Sequence, residues 1–403
     1  MKTQFLKSLS CGLIFSAVLF STACKENEIL TPEAAEKQDD DRSAKLGIPT
    51  KFDQVAFAQR IEDYLDPKVA GFGYSIFNDG KEYFNTNGGD GVARKHIESS
   101  FQAHGAIVKQ ETLKTTQYVT ALAVLRIIKK YNLSLSTKVW PYLPKTWKPS
   151  DKFKTLDFER LLAHRTGLLN YNDLTKLKLT VEGPVNDPIF NAKTRENNDI
   201  NYLLLGIITP YVEAVELKKQ GSNAKLNELD AVAENFTAWG AHYRDIVRTD
   251  VFVPAGLDNA SIIDWQTWDN TGPISSSLGT KGYPAKTGNE PGKAKAINRF
   301  NCGVTGLYLS ASQFAKLQSA VAQFKVISLA DLELMKSKLL GFDGKLTGTK
   351  GSYFYKSSIG DNNETIIFDF GKIQVAVFAN SPESDLSDPT VIAMMFENSF
   401  IPL

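Results

Sequence analysis

Hydrophobic and polar residues form strand-like patterns near both ends of the chain and helix-like patterns between them. Two apolar runs within Val69–Asn85 flank the turn residues Asp79-Gly80, which predicts a β-hairpin. Short apolar runs between residues 351 and 381 predict further strands, and a last helix is predicted from about Asp388 to Phe400. Both ends of the folded region are therefore expected to supply strands.

Longer apolar stretches in the middle of the chain have the spacing of buried helices. From about Lys114 to Tyr131, apolar residues cover almost every side of the predicted helix, as in a helix buried in a core. Residues Leu156–Tyr171 predict a helix that ends at Gly167, and Ile200–Val215 predict another largely apolar helix. Helices are thus expected to occupy the region between the two sets of strands.

Polar segments separate these helices. Residues 216–230 are predicted to form an inserted loop, and residues 264–300, rich in Gly, Pro, Ser and Thr, a long loop. A helix restarts after Ser310 or Ser312, either of which suits the N-cap position. Strands from both ends that pair in one antiparallel sheet, with a helical region inserted between them, give an α+β fold.

The first 23 residues have the pattern of a secretory signal peptide. Their apolar run, from about Leu9 to Phe20, is short for a membrane span. The small residues Ser21–Ala23 then precede Cys24, a pattern that resembles a bacterial lipobox, although Ser21 stands where lipoboxes usually have leucine. This resemblance implies cleavage before Cys24 and a lipid on that cysteine. The alternative is an ordinary signal peptide followed by a chance cysteine.

The domain boundaries follow from the same pattern. Residues 24–50 are charged and lack periodicity, which predicts a solvated acidic linker behind the lipid anchor. Residues 51–403 are expected to form one domain. We therefore expect an exported bacterial lipoprotein that contacts the membrane through its lipid and either faces the periplasm or lies on the outer-membrane surface.

Composition bears on which partners, disulfides and metals to expect. The chain has 46 basic and 45 acidic residues, mixed along its length, and a net charge of +1, which gives no reason to expect nucleic acid as a partner. If Cys11 leaves with the signal peptide and Cys24 is lipidated, Cys302 has no partner for an intrachain disulfide. The four histidines have no metal-ligand neighbours at useful spacing. We expect neither a metal nor a cofactor.

Six stretches of the domain resemble, in order, segments of the serine β-lactamase and penicillin-binding protein family. The branch they resemble is the class C-like group of DD-peptidases and esterases. The stretches are "GYSIFNDGKEYF", "YVTALAVLRIIKKYNLSLSTKVWPYLP", "LDFERLLAHRTGLLNY", "NYLLLGIIT", "VFVPAGLDNASI" and "CGVTGLYLSASQFAKL". The resemblance covers about Phe52 to Leu403 and implies a β-lactamase/transpeptidase-like fold.

The resemblance implies a serine at the start of the core helix and a lysine three residues later, close enough to take the serine proton. That serine also supplies one backbone N–H of the oxyanion hole. Alignment on "TALAVL" places Lys114 at the serine position and Gln117 at the lysine position. Gln117 has no basic nitrogen, and a lysine such as Lys114 is normally protonated and not nucleophilic.

Two other motifs of the family are also altered. Alignment on "NYLLLG" places Asn197 at the tyrosine of Y-x-N and Asp199 at its asparagine. Lys356, Ser357 and Ser358 occupy the K-T-G positions, where the strand supplies the second N–H of the oxyanion hole. A cation and a hydroxyl remain there, but Ser358 adds bulk where glycine would let substrate approach the strand.

Three further segments could be mistaken for catalytic motifs. The sequence Ser222-Asn223-Ala224-Lys225 matches S-x-x-K, but it lies in the polar insertion without an apolar helix behind it. The sequence Lys286-Thr287-Gly288 matches K-T-G, but it lies in a Gly- and Pro-rich segment rather than a strand. His164 is interpreted as a satisfied core histidine beneath the site, rather than a general base.

Three functional hypotheses remain open at this point. The first is a non-catalytic lipoprotein domain that binds a peptide, glycan or protein partner through a cleft lined by Lys114, Gln117 and Lys356. The second is an active β-lactamase, DD-carboxypeptidase or esterase with a displaced serine nucleophile. The third is a structural protein with a filled cleft. If Lys114 and Lys356 share a pocket, two cations would attract a carboxylate, such as that of an acidic peptide or cell-wall fragment.

Overall fold

The structure is a computed structural model. It describes residues 49–98, 101–169, 174–183, 194–232, 235–265, 279–293, 299 and 301–403. The predicted signal peptide, Cys24 and nearly all of the predicted linker lie outside these residues, as does most of the predicted loop 264–300.

The strands form one large antiparallel sheet and three small two-stranded ribbons. The large sheet has the order β3-β2-β11-β10-β9-β8, so strands from the two ends of the folded region pair directly at β2 and β11. The ribbons are β1-β12, β4-β5 and β6-β7. The strands are β1 Thr50–Phe52, β2 Phe72–Asn78, β3 Lys81–Gly88, β4 Val92–Arg94, β5 Gln102–Ala103, β6 Gln110–Glu111, β7 Tyr308–Leu309, β8 Gly344–Gly348, β9 Gly351–Ile359, β10 Glu364–Asp369, β11 Ile373–Ala379 and β12 Phe400–Pro402.

The α-helices of the described residues lie mostly between β6 and β8. They are α1 Gln54–Leu65, α2 Thr116–Lys130, α3 Phe158–Leu162, α4 Leu174–Glu182, α5 Asp199–Lys219, α6 Ala224–Ala231, α7 Phe236–Val247, α8 Ala311–Ala322, α9 Leu329–Ser337 and α10 Pro389–Glu397. A 3₁₀ turn, Leu113–Thr115, leads into α2, and a π-helical segment, Arg248–Phe252, follows α7.

The sheet separates two hydrophobic cores, because successive side chains of a strand point to opposite faces. Ile366 and Phe368 of β10 belong to the core that includes Phe57 of α1. Ile367, between them, belongs to the larger core that includes Leu122 of α2. β10 is thus packed between the two cores, and its neighbour β9 meets the turn that leads into α2.

Several predictions from local patterns are confirmed by this arrangement. The hairpin turns at Asp79-Gly80, both of which have positive φ, and β2 and β3 flank the turn. The core helix begins at Thr116, two residues after the predicted start. Ser310 is the N-cap of α8, where it forms a capping box with Gln313. The predicted α+β architecture, with strands from both ends and helices between, is confirmed.

Two local predictions were wrong. The helix predicted to end at Gly167 ends at Leu162, and His164 beyond it has left-handed backbone with φ 54°. The polar segment 216–230 is not a loop, because α5 continues to Lys219 and α6 occupies Ala224–Ala231. In the second case, buried Leu229 anchors a short polar helix, which shows that tertiary packing overrode the polar composition.

The helix Asp199–Lys219 is long and apolar enough to cross a membrane by length and composition. However, 89% of its most apolar window is buried inside the structure, as expected for a core helix. Its apolar side chains therefore pack in the same hydrophobic core as those of α2.

We expect Leu122→Ala to lower the free energy of unfolding by about 2–5 kcal/mol, because removing this fully buried side chain leaves a cavity in the larger core. The matched change Leu179→Ala, at a side chain that is 60% exposed on α4, should cost much less. Urea unfolding of both variants measures the difference. Equal losses would mean that α2 is not the central core helix.

Candidate functional site

The start of α2 is the part of the fold where the altered motifs meet. The chain enters the helix through Leu113, whose φ of 50° is left-handed although it is not glycine. Such backbone costs on the order of 1–3 kcal/mol and persists where surrounding structure holds it. Here the Leu113 side chain is buried and lies against Gly360, just after β9. Packing between this turn and the end of β9 therefore fixes the position of Lys114.

Lys114 and Gln117 both contact the carboxylate of Asp199, at the start of α5. Lys114 Nζ lies 3.0 Å from Asp199 Oδ1, and Gln117 Nε2 donates to the same oxygen over 3.3 Å. The Lys114 and Asp199 side chains are 38% and 28% exposed, whereas Gln117 is fully buried and its Oε1 has no hydrogen-bond partner. Lys114, Gln117 and Asp199, which were aligned to the serine, lysine and asparagine of the family motifs, thus form one cluster around an ion pair.

A second cluster surrounds Asp343, immediately before β8. Its carboxylate pairs with Lys356 Nζ at 2.6 Å and accepts from the backbone N–H of Ser357 at 3.0 Å. Asn197 Nδ2 donates to it over 3.2 Å. Burial lowers the pKa of Lys356, and the neighbouring Asp343 carboxylate opposes that shift. Lys356 is 1% exposed, so its charge is neutralised inside the protein.

Ser358 joins β9 to the start of α2. Its Oγ accepts the backbone N–H of Lys114 over 3.2 Å. The resemblance implies that the backbone N–H of Lys114 would form half of an oxyanion hole. In this chain that N–H is already hydrogen-bonded to a protein hydroxyl. Ser358 itself is buried, with 8% of its surface exposed.

The structure brings all seven candidate residues of the sequence analysis to one place. Lys114, Gln117 and Asp199 form the first cluster, Asn197, Lys356 and Ser357 bind Asp343 in the second, and Ser358 bonds to Lys114.

The expectation that Lys114, Gln117 and Lys356 line an open cleft is not met, since Gln117 and Lys356 are buried. Lys356 lies on the inner strand β9, and its ammonium is paired with the carboxylate of Asp343, which accounts for its burial. The expected pair of cations is thus reduced to one accessible cation, Lys114.

Sequence reasoning missed Asp343 and Arg195, which hold the second cluster in position. Arg195 donates to the backbone carbonyl oxygens of Phe342 and Asp343, the latter over 3.0 Å. Neither residue lies in a recognisable motif, and Asp343 is 13 residues before its partner Lys356. Their roles depend on the pairing of β8 with β9, which local sequence patterns do not reveal.

The segments set aside in the sequence analysis occupy other places. Ser222 lies just before α6, and Lys225 forms an ion pair with Glu213 rather than with a serine. Lys286 lies in an irregular segment, 3.7 Å from the carboxylate of Asp66. Neither segment contacts the start of α2 through any of these bonds.

His164 is a buried supporting residue beneath the site. Its Nδ1 lies 3.2 Å from both the backbone oxygen of Asn198 and Nδ2 of Asn201. Burial, together with the positive charges of Lys356 and Arg195, lowers the pKa of His164 well below its ordinary value. It is therefore a neutral imidazole that orients the chain entering α5.

Potential metal ligands and the two threonine hydroxyls beside Lys114 are the remaining reactive groups to locate. The described part of the chain contains no group of three or more His, Cys, Asp or Glu residues able to hold a metal ion. Thr115, next to Lys114, donates its hydroxyl to the backbone oxygen of Thr112, and Thr116 donates to Leu113. Both hydroxyls are buried and are bonded within their own turn.

Comparison with known proteins gives matches to solved structures. No family model and no curated protein matches the sequence. The structure of SurE with D-Leu matches with a TM-score of 0.62 and 13% identity over 85% of this chain and 75% of that chain. FmtA from Staphylococcus aureus matches with a TM-score of 0.59 and 15% identity over 91% of this chain and 97% of that chain.

A class C β-lactamase from Rhodobacter sphaeroides matches with a TM-score of 0.58 and 15% identity over 84% of this chain and 98% of that chain. Identities this low show a shared fold and nothing finer. The helical region, the antiparallel sheet and the position of α2 all agree with that likeness. The chain therefore has the β-lactamase/transpeptidase-like fold found in class C β-lactamases and penicillin-binding protein homologues.

Proposed function

We propose that this protein is an exported lipoprotein whose β-lactamase-like domain is catalytically inactive and binds a peptide, glycan or protein partner. The observation that supports the loss of catalysis is that both the side chain and the backbone N–H of Lys114 are bound to other residues of the protein. Its ammonium pairs with Asp199, and its backbone N–H is taken by Ser358. Both the nucleophile and half of the oxyanion hole are therefore replaced by internal contacts.

Acyl transfer by this fold needs a hydroxyl nucleophile beside a base. The serine position of the family holds Lys114, which supplies no hydroxyl and whose side chain is engaged with Asp199. Gln117 cannot accept a proton in place of the missing lysine, and Asn197 cannot relay one as tyrosine would. One substitution back to serine at position 114 would leave these two deficits in place.

The binding part of the proposal depends on the exposed side of the first cluster. Lys114 keeps 38% of its side chain exposed, and exposed ion pairs are typically worth about 0.2–1 kcal/mol. A ligand carboxylate could thus exchange with Asp199 at small cost. An acidic peptide or a cell-wall fragment with a free carboxylate has the required chemistry.

A second candidate function is an active serine hydrolase with a displaced nucleophile. The observation that favours it is the hydroxyl of Ser358, which lies at the N-terminus of α2 within 3.2 Å of Lys114 N. Among the described residues, the hydrogen bonds of Ser358 Oγ include no basic side chain, and Lys114 Nζ is engaged with Asp199, so we prefer the inactive interpretation.

We expect no covalent adduct when the folded protein is incubated with a fluorescent penicillin or a fluorophosphonate, because the part of the chain that the structure describes presents no hydroxyl beside a base at an open oxyanion hole. Intact mass and peptide mapping measure this directly. Thermal unfolding of the same sample serves as the control for a folded protein. A stoichiometric adduct on Ser358, absent in Ser358→Gly, would contradict the proposal and establish the second candidate.

We expect an acidic peptide to bind with an affinity that falls as NaCl rises from about 50 to 500 mM, because screening weakens the contact with Lys114. Lys114→Met should weaken binding about tenfold or more. Lys129→Met, at an exposed position near the opposite end of α2, is the matched control and should have no effect. Salt-independent binding, or none, would contradict a carboxylate ligand.

The lipid anchor has its own test. We expect Cys24→Ser to abolish incorporation of labelled fatty acid and to release the protein from the membrane fraction, because the thiol is the predicted acylation site. Cys11→Ser, within the predicted signal peptide, is the matched control and should leave labelling intact. Fatty-acid incorporation that persists in Cys24→Ser would contradict the lipoprotein assignment.

A further inference from the structure

The first cluster, at the start of α2, contains a buried amide that is only half satisfied. Gln117 is fully buried, and its Nε2 donates to Asp199 Oδ1 over 3.3 Å. Because an ionised carboxylate only accepts hydrogen bonds, this contact fixes which end of the amide faces Asp199. The other end, Oε1, is closed to solvent and has no hydrogen-bond partner. Buried polar atoms without partners are uncommon, and this acceptor requires a donor.

The carboxylate of Asp199 is able to accept a further donor as well. Lys114 Nζ and Gln117 Nε2 both approach Oδ1, so Oδ2 is left for another partner in the part of the chain that the structure describes. The Asp199 side chain is 28% exposed, so a donor from solvent reaches it. Two acceptors of the cluster therefore await donors, and an ammonium, with three N–H groups, is able to serve both.

Lys114 presents the opposite charge at the same place. Its side chain is 38% exposed, and a ligand carboxylate is a suitable acceptor for the N–H groups of its ammonium. However, Lys114 Nζ and Asp199 Oδ1 lie only 3.0 Å apart, so a bare carboxylate that approaches Lys114 also approaches Asp199. Repulsion from Asp199 therefore opposes a ligand that carries negative charge alone.

The described charges around the first cluster offset one another. In the second cluster, Lys356 is paired with Asp343 at 2.6 Å. Arg195 is followed in the chain by Glu196, which carries the opposite charge. The first cluster is itself an ion pair. These surroundings favour a ligand with both charges and no net charge.

From these observations we propose that the first cluster binds the head group of a free α-amino acid. Its carboxylate engages Lys114, and its ammonium engages Asp199 Oδ2 and Gln117 Oε1 as the side chains of the ion pair move apart. The two charged groups of an α-amino acid are bonded to one carbon, so this ligand requires the smallest opening of the pair. Opening an exposed ion pair costs little. The inference rests on the proposed function and narrows its ligand to a carboxylate with an adjacent ammonium.

The test compares alanine with molecules that carry only one of its charges, using the full chain purified in a mild detergent. At least one enantiomer of alanine, at about 10 mM, should raise the unfolding temperature by about 1–2 °C, because a ligand bound to the folded state stabilises it. Sodium propionate and ethylammonium chloride, at the same concentration and ionic strength, should each give less than half that shift.

The outcomes separate this inference from the proposed function. Equal shifts with alanine and propionate would overturn the inference and leave binding of a carboxylate intact. The absence of a shift with all of these molecules would also overturn it, and the titration with acidic peptides then decides the proposed function separately.

Variants separate recognition of the ammonium from recognition of the carboxylate. Lys114→Met should lose the alanine shift, and Gln117→Leu should weaken it without weakening the propionate shift. Asp199→Asn should respond to propionate at least as strongly as to alanine, because the repelling carboxylate is gone. Asp151→Asn, in an exposed ion pair with Lys154 at 2.8 Å, is the matched control and should keep the preference for alanine. A preference for alanine that persists in Asp199→Asn would contradict the proposal.

Discussion

The close approach of β9 to the first turn of α2 is the constraint on which the candidate site depends. The Lys114 N–H to Ser358 Oγ hydrogen bond closes this approach, and Leu113 holds the turn in left-handed backbone against Gly360. The pairing of β9 with β10 fixes the strand, and the buried core around Leu122 fixes the helix. Both elements are packed against other parts of the fold, and this packing keeps the Ser358 hydroxyl beside the Lys114 N–H.

The ion pairs on either side of that contact differ in how much they contribute to the stability of the folded protein. Removing one partner from a buried pair such as Lys356 and Asp343 typically costs about 3–5 kcal/mol, because the other charge is left uncompensated. The half-exposed pair of Lys114 and Asp199 is worth about 0.2–1 kcal/mol. The first pair therefore acts as fixed structure, whereas the second leaves a cation that a ligand can compete for.

Local sequence patterns predicted the parts of the fold that local chemistry determines. The Asp79-Gly80 turn, the apolar helix after Lys114 and the Ser310 cap follow from residues that are neighbours in sequence. The resemblance further indicated the seven residues that the fold brings together at the start of α2.

The carboxylate of Asp343 and the unpartnered oxygen of Gln117 could not be predicted from the sequence, because they depend on contacts between distant segments. The burial of Lys356 was missed for the same reason, since its partner Asp343 lies 13 residues earlier, just before β8.

The measurement that tests the central claim most directly is a crystal structure of the protein soaked with a boronic acid, an electrophile that bonds to an activated hydroxyl. We predict that Lys114 N remains hydrogen-bonded to Ser358 Oγ, that Lys114 Nζ stays with Asp199, and that no boron–oxygen bond to the protein forms. A boronate bonded to a protein hydroxyl, with one oxygen accepting the Lys114 N–H, would contradict the account.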